Sequence, residues 1–134
     1  MQNVDVNYLA VLVAALVPMV LGMLWYSPIL FADRWMRAVG RTREELGDAA
    51  LGYLLSAVAA LVTSYALARI MRWAEVDDLW NGALVGGLAW VGFVATVLAV
   101  TTYFSGRPRE LWLINAGYQL VALVLMGAIH GAWE

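Results

Sequence analysis

Charged residues gather in short clusters along the chain, and four stretches between them carry none: 6–32, 49–68, 79–106 and 111–133. Each is at least 20 residues long, and about 20 helical residues at a rise of 1.5 Å cross a hydrocarbon core roughly 30 Å thick. The pattern predicts an all-α integral membrane four-helix bundle, a single domain over 1–134, with spans at about 7–30, 49–70, 79–104 and 111–132. Between the first two spans, Phe31, Trp35, Met36 and Val39 recur at helical spacing with Arg34, Arg37 and Arg41 between them. That reads as a short amphipathic helix lying along the interface within 31–47, ended by Gly40. Thr42 and Glu45 have capping-box spacing, which predicts the start of the helix that runs into the second span. The third connection is short enough to make the last two spans an antiparallel hairpin. Pro18 predicts a kink in the first span, and Trp25-Tyr26-Ser27-Pro28 predicts its end.

Composition agrees with the pattern. Hydrophobic residues make up 63% of the chain and charged ones 13%, against roughly 45–50% and 25% in soluble domains. Residues 1–7 contain no basic residue, and the apolar run behind them exceeds a secretory signal's core, so the first span is expected to remain in place. All eight basic residues are arginine, a usage that goes with a GC-rich bacterial genome and hence a bacterial inner membrane. Six of them, Arg34, Arg37, Arg41, Arg43, Arg107 and Arg109, fall in the first and third loops. Arg69 and Arg72 fall in the second. The positive-inside rule puts the six-arginine side in the cytoplasm and both termini outside. Trp25, Tyr26, Trp35, Tyr103, Phe104 and Trp112 then form an inner aromatic belt, and Tyr8, Trp73, Trp80 and Trp133 an outer one. Trp90 alone lies deep, and its indole N–H needs a partner on a neighbouring helix.

Small residues at a spacing of four, Gly52, Ser56, Ala60, Ser64 and Ala68, give the second span a ridge for close helix packing. Gly82 with Gly86 and Gly127 with Gly131 repeat the pattern in the last two spans. Such ridges serve packing inside one bundle or between subunits of a homo-oligomer, and the sequence leaves both open. The fourth span has the most polar interior. Asn115 and Gln119 sit one turn apart, His130 returns to nearly the same face, and Tyr118 flanks it. Asn81 lies at about the depth of His130 across the hairpin. These are candidates for a ligand site or path, or for ordinary interhelical hydrogen bonds. Tyr26 and Asp33 are candidates at the cytoplasmic entrance.

Absences narrow the chemistry. No Asp, Glu, Lys or Arg lies in the uncharged spans, so the buried acid of a small proton-coupled multidrug exporter has no counterpart. There is no histidine cluster and no cysteine for a metal site, no Gly-rich phosphate loop, and no basic stripe for nucleic acid. Asp33 and His130 are expected on opposite membrane faces, which removes a Ser-His-Asp triad. No cofactor is expected. Asp33, Trp35 and Gly40 recur as Glu110, Trp112 and Gly117 at an offset of 77, a pattern that either a duplicated hairpin or chance matching among interface aromatics explains.

Trp25-Tyr26-Ser27-Pro28 with Leu30-Phe31, Gly92-Phe93 with Thr96, Gly106-Arg107-Pro108, Ile114-Asn115-Ala116-Gly117-Tyr118 and Met126-Gly127-Ala128-Ile129 appear in this order over nearly the whole chain. In these motifs the chain resembles the small bacterial membrane proteins called domain of unknown function 1761. The resemblance implies four spans and assigns no activity and no catalytic residue. Three function classes remain open. One is a homo-oligomeric transport or permeation unit for a small solute or ion, with Asn115, Tyr118, Gln119 and His130 along a neutral polar path. Another is a membrane-embedded enzyme or binder for a small-molecule or lipid-like ligand, with Asp33 and Glu110 as acids and Tyr26 or Tyr118 as proton donors. The third is a scaffold whose ridges hold another membrane protein. Whether the chain is an enzyme stays open, and the lipid bilayer is the one partner common to all three.

Overall fold

The computed structural model describes residues 6–40 and 49–133. They form helices α1 (Tyr8–Trp25), α2 (Ala32–Val39), α3 (Ala49–Trp73), α4 (Leu79–Ala89), α5 (Thr96–Phe104) and α6 (Arg109–Ala132), with a π-helical segment (Trp90–Ala95) joining α4 to α5 without a break. Four helical stretches, α1, α3, the continuous 79–104 and α6, are long and apolar enough to cross a membrane by length and composition. Large apolar side chains lie exposed along each of them: Leu9, Leu16 and Met23; Leu51, Leu55 and Val62; Leu84, Leu88 and Val97; Leu113 and Leu125. That much outward-facing hydrocarbon suits a lipid solvent rather than water.

Local sequence sets the ends. The Asn7 side chain accepts the Ala10 N–H at 3.1 Å and opens α1. α1 stops at Trp25, where the Ser27 hydroxyl donates to the Leu24 carbonyl at 2.7 Å and Phe31 N–H to the Trp25 carbonyl at 3.1 Å. Gly40, at φ +80°, ends α2 in the left-handed conformation that glycine adopts without a Cβ clash. The Arg107 guanidinium, from the turn between α5 and α6, donates to the Val39 carbonyl and so ties α2 to that turn. The capping-box pair Thr42 and Glu45 lies outside the described residues.

α6 is the axial element. Its Gly127 and Gly131 meet Gly82 and Gly86 of α4 so closely that a Cβ on any of the four would press into the opposing backbone. The antiparallel hairpin expected from the short third connection is thus a glycine-to-glycine crossing within one chain. α1 and the second half of α3 cover other faces of α6. Ala14, Leu67, Met71, Ala122, Leu123 and Met126 form the buried core where these helices meet.

α3 is divided. Ala60, Ser64 and Ala68 are buried against the bundle, whereas Leu51–Ser56, Val58 and Ala59 are all exposed. The ridge that looks continuous in sequence is therefore used from Ala60 onward, and Gly52 and Ser56 face no described neighbour. The 77-residue repeat also changes meaning. Gly40 is a left-handed cap on a short helix, while Gly117 lies inside a spanning helix, where a Cβ would come 3.2 Å from the Trp25 ring. The two sequence copies have different structures.

Candidate functional site

Near the end of the bundle that carries Arg34, Arg37, Arg107 and Arg109, five aromatic rings converge on α6. Trp25 lies 4.9 Å from Phe31 and 6.5 Å from Tyr118, and Tyr26 lies 5.9 Å from Trp35 and 5.4 Å from Tyr118, all between ring centroids. Each polar tip in this cluster has a defined partner. Trp25 Nε1 donates to the Ile114 carbonyl at 2.9 Å, Tyr118 Oη to the Pro18 carbonyl at 2.7 Å, and Tyr26 Oη to Asn115 Oδ1 at 2.7 Å. Gly22 makes room for the second bond, since a Cβ there would come 3.4 Å from the Tyr118 hydroxyl. Of the residues expected in the inner aromatic belt, Trp25, Tyr26, Trp35 and Trp112 are half-buried against the bundle, and Tyr103 and Phe104 are exposed. Trp112 Nε1 donates to the Ala95 carbonyl at 3.0 Å, and Trp90 Nε1 to the Ala116 carbonyl at 2.8 Å, the partner its depth called for. These two indoles bracket the π-helical segment at its first and last residues.

Two amide groups stand apart from this pairing. Asn115 Nδ2 and the whole Gln119 amide have no hydrogen-bond partner among the described residues, although both residues are half-buried. No fully enclosed side-chain nitrogen or oxygen among those residues lacks a partner, so these amides open to the outside of the chain. Their positions explain it. Asn115, Gln119, Met126 and His130 fall within about 60° of one another around α6, by 100° per residue. At Met126 and His130 that face is covered by the second half of α3, where Ser64 Oγ lies 3.0 Å from His130 Nε2 and Leu67 and Met71 join Met126 in the core. At Gln119 and Asn115 the first half of α3 no longer packs on anything described, so no described residue of α3 covers the same face there. Asn115 lies about 9 Å and Gln119 about 15 Å along α6 from Arg109, at 1.5 Å per residue. The open face is therefore in the arginine-rich half of the span.

The other sequence candidates lie elsewhere. His130 is enclosed at the opposite end, 4% exposed and bonded to Ser64. Asn81 is exposed there too, and it binds the α4 cap: its N–H donates to Asp78 Oδ2 at 3.0 Å and its side-chain nitrogen to Oδ1 at 2.7 Å. These bonds hold the Asp78 carboxyl below the usual carboxylate range. Asp33 and Glu110 are exposed at the arginine-rich end. Among the described residues no group of three or more acidic, histidine or cysteine side chains has a metal-binding arrangement. Sequence spacing flagged Asn115, Tyr118 and Gln119. It missed that Trp25 and Trp112 bond into the bundle, because an aromatic at a span boundary has the same pattern in either role.

A family model for a protein of unknown function, DUF1761, matches residues 9–131. The chain belongs to this family. No curated protein matches it, and neither does any solved structure. In this DUF1761 chain the motifs that are far apart in sequence meet in space. Trp25 and Tyr26 of the first motif bond to Ile114 and Asn115 of the fourth. Arg107 of the third caps the short helix that follows the first. Met126 and Gly127 of the fifth supply core and helix crossing. Thr96 of the second donates to the Gly92 carbonyl at 3.1 Å within the π-helical region.

Proposed function

We propose that the chain is a membrane-embedded binding protein for an amphipathic molecule dissolved in the bilayer, whose polar group lodges against Asn115 and Gln119. The unpaired amide of Gln119, deep in a spanning helix, carries this reading. Moving an amide into a medium with no hydrogen-bond partner costs roughly 4–8 kcal/mol. A partner outside the chain is therefore favoured, and the open face of α6 leaves space for one beside an aromatic wall. Small-molecule sites in general join apolar surface to a few polar groups that fix orientation.

A permeation path along the same face has less support. Beyond Gln119 it runs into Met126, Met71, Ser64 and His130, all buried within a single chain. A catalytic reading has less support too, because the Tyr26 and Tyr118 hydroxyls already spend their protons on Asn115 and Pro18. The proposal includes an arginine-rich end in the cytoplasm, from the six-to-two arginine count, so the open face lies in the inner leaflet. Native mass spectrometry of the protein released from lipid nanodiscs tests it. The expected spectrum carries a bound amphiphile whose occupancy falls about tenfold in Gln119→Leu, a loss of about 1.4 kcal/mol. A bare protein, or an adduct indifferent to Gln119→Leu, rejects the site. A dimer whose mass replaces the adduct assigns the open face to a second copy instead.

A further inference from the structure

We infer that the polar group received at Asn115 and Gln119 is an uncharged carbonyl, held by amide N–H donors. This rests on the binding reading above and adds the polarity of the ligand. The Tyr26 hydroxyl has one proton and donates it to Asn115 Oδ1 at 2.7 Å. That bond occupies the amide oxygen on the α1 side and turns the Nδ2 group, with its two N–H donors, to the side that has no partner. The neighbouring donors are already used: Tyr118 Oη on the Pro18 carbonyl and Trp25 Nε1 on the Ile114 carbonyl. The polarity of this face is fixed at Asn115, whose Oδ1 is taken by Tyr26 and whose Nδ2 donors are left; Gln119 has both an N–H pair and an acceptor oxygen and can turn its N–H groups the same way. A ligand that meets the Asn115 donors presents an acceptor.

Charge then narrows the acceptor. From 6 to 32, 79 to 106 and 111 to 133 the chain has no Asp, Glu, Lys or Arg. A carboxylate or phosphate at Gln119 would lose its hydration with no cation to offset it, and an ammonium would have no acid to meet. A neutral carbonyl loses little hydration and gains the amide bonds. Two membrane-dissolved sources have this group next to an apolar body: the acyl ester of a glycerolipid and the ring carbonyl of an isoprenoid quinone. The adjoining Trp25, Tyr26 and Tyr118 rings offer apolar aromatic surface to either.

Side-chain amide NMR separates the two sources, because the chain has only six Asn and Gln residues: Gln2, Asn3, Asn7, Asn81, Asn115 and Gln119. The 15N-labelled protein is placed in nanodiscs of diether phosphatidylcholine, then compared with diester phosphatidylcholine, and separately titrated with decylubiquinone. The Asn115 and Gln119 NH2 signals are expected to shift in one arm, which names the source, while Asn81, tied to Asp78, stays fixed. Gln119 makes no bond within the described chain, so Gln119→Leu is expected to fold and to abolish the remaining Asn115 shift or weaken the titration at least tenfold. Amide signals unmoved in both arms overturn the inference. If an amphiphile is still retained in the mass spectrum, the binding reading survives that result. If none is retained, both fall.

Discussion

Ser64 has a single hydroxyl proton and sits between two groups that could take it, the Val11 carbonyl at 2.8 Å and His130 Nε2 at 3.0 Å. A carbonyl only accepts, so the proton goes to Val11, and His130 must donate from Nε2 to the serine oxygen. The histidine tautomer follows from this one assignment. Ser64 is fully buried, and it links α1, α3 and α6 at the end opposite Arg34, Arg37, Arg107 and Arg109. Ser64→Ala removes both bonds and strands the imidazole N–H in the interior. A buried unpaired donor costs about 1–3 kcal/mol in general, while single side-chain bonds inside membrane bundles average nearer 0.6. With two bonds lost, a destabilisation of about 1–2 kcal/mol is expected in SDS-titrated unfolding from mixed micelles. Little of this was legible from the sequence. Spacing put Ser64 on a small-residue ridge and His130 on a polar face, but nothing local joins residues 66 positions apart. The same holds for Tyr26 and Asn115, 89 positions apart.

Among the elements, the glycines divide by what a methyl group would meet. At Gly127 a Cβ would press into the Gly82 backbone, which has no rotamer by which to yield; at Gly52 it would meet nothing within 4 Å. Gly127→Ala is expected to destabilise by about 3 kcal/mol, the upper end of overpacking costs. Gly52→Ala is expected to be neutral or to stabilise by up to about 1 kcal/mol through helix propensity. Parallel unfolding curves check both, and equal effects would remove the glycine crossing from the account of α4 and α6. The sequence showed both glycine pairs and the long ridge of α3. It did not show which half of the ridge is used, because that depends on how α3 crosses its neighbours. Nor does Trp90–Ala95 advertise a π-helix by its composition. Its register goes with two indole bonds to and from α6, which are tertiary. The start of α4 is sensitive to acid in a defined direction. Bonds from Asn81 depress the folded carboxyl of Asp78 below its unfolded value. Its stabilisation is therefore complete above the ordinary carboxylate pKa of about 4 and is lost as pH falls through the lower folded value. Hydrogen exchange at the Trp80 and Asn81 amides is expected to accelerate below that range, and Asp78→Asn is expected to flatten the response.

For the whole molecule, the spans were readable because charge is expelled from them, and their lengths follow from bilayer thickness. What the molecule adds is an asymmetry between its two halves. One half is closed by Ser64, Met71, Met126 and His130, and the other is opened by the unpacked start of α3. On the proposed binding reading, the leaflet that would supply a ligand depends on orientation. Six arginines in the first and third loops of the sequence against two in the second favour retention of the open end, which carries Arg34, Arg37, Arg107 and Arg109, in the cytoplasm. A chain without cysteine allows a direct measurement. Ala74 and Ser105 are both exposed and lie in turns at opposite ends, Ala74 between α3 and α4 and Ser105 between α5 and α6. In intact spheroplasts an impermeant maleimide is expected to label Ala74→Cys at once and Ser105→Cys only after permeabilisation. The reverse pattern would invert the molecule and move the amide pair to the outer leaflet. Labelling of both sites from one side would mean an even number of crossings between them, against the single crossing that one span over 79–104 makes. Because those 26 residues are continuous helix from Leu79 to Phe104, opposite-side labelling of these two positions is the result that joins the fold to a bilayer, and its polarity decides which leaflet Asn115 and Gln119 can draw upon.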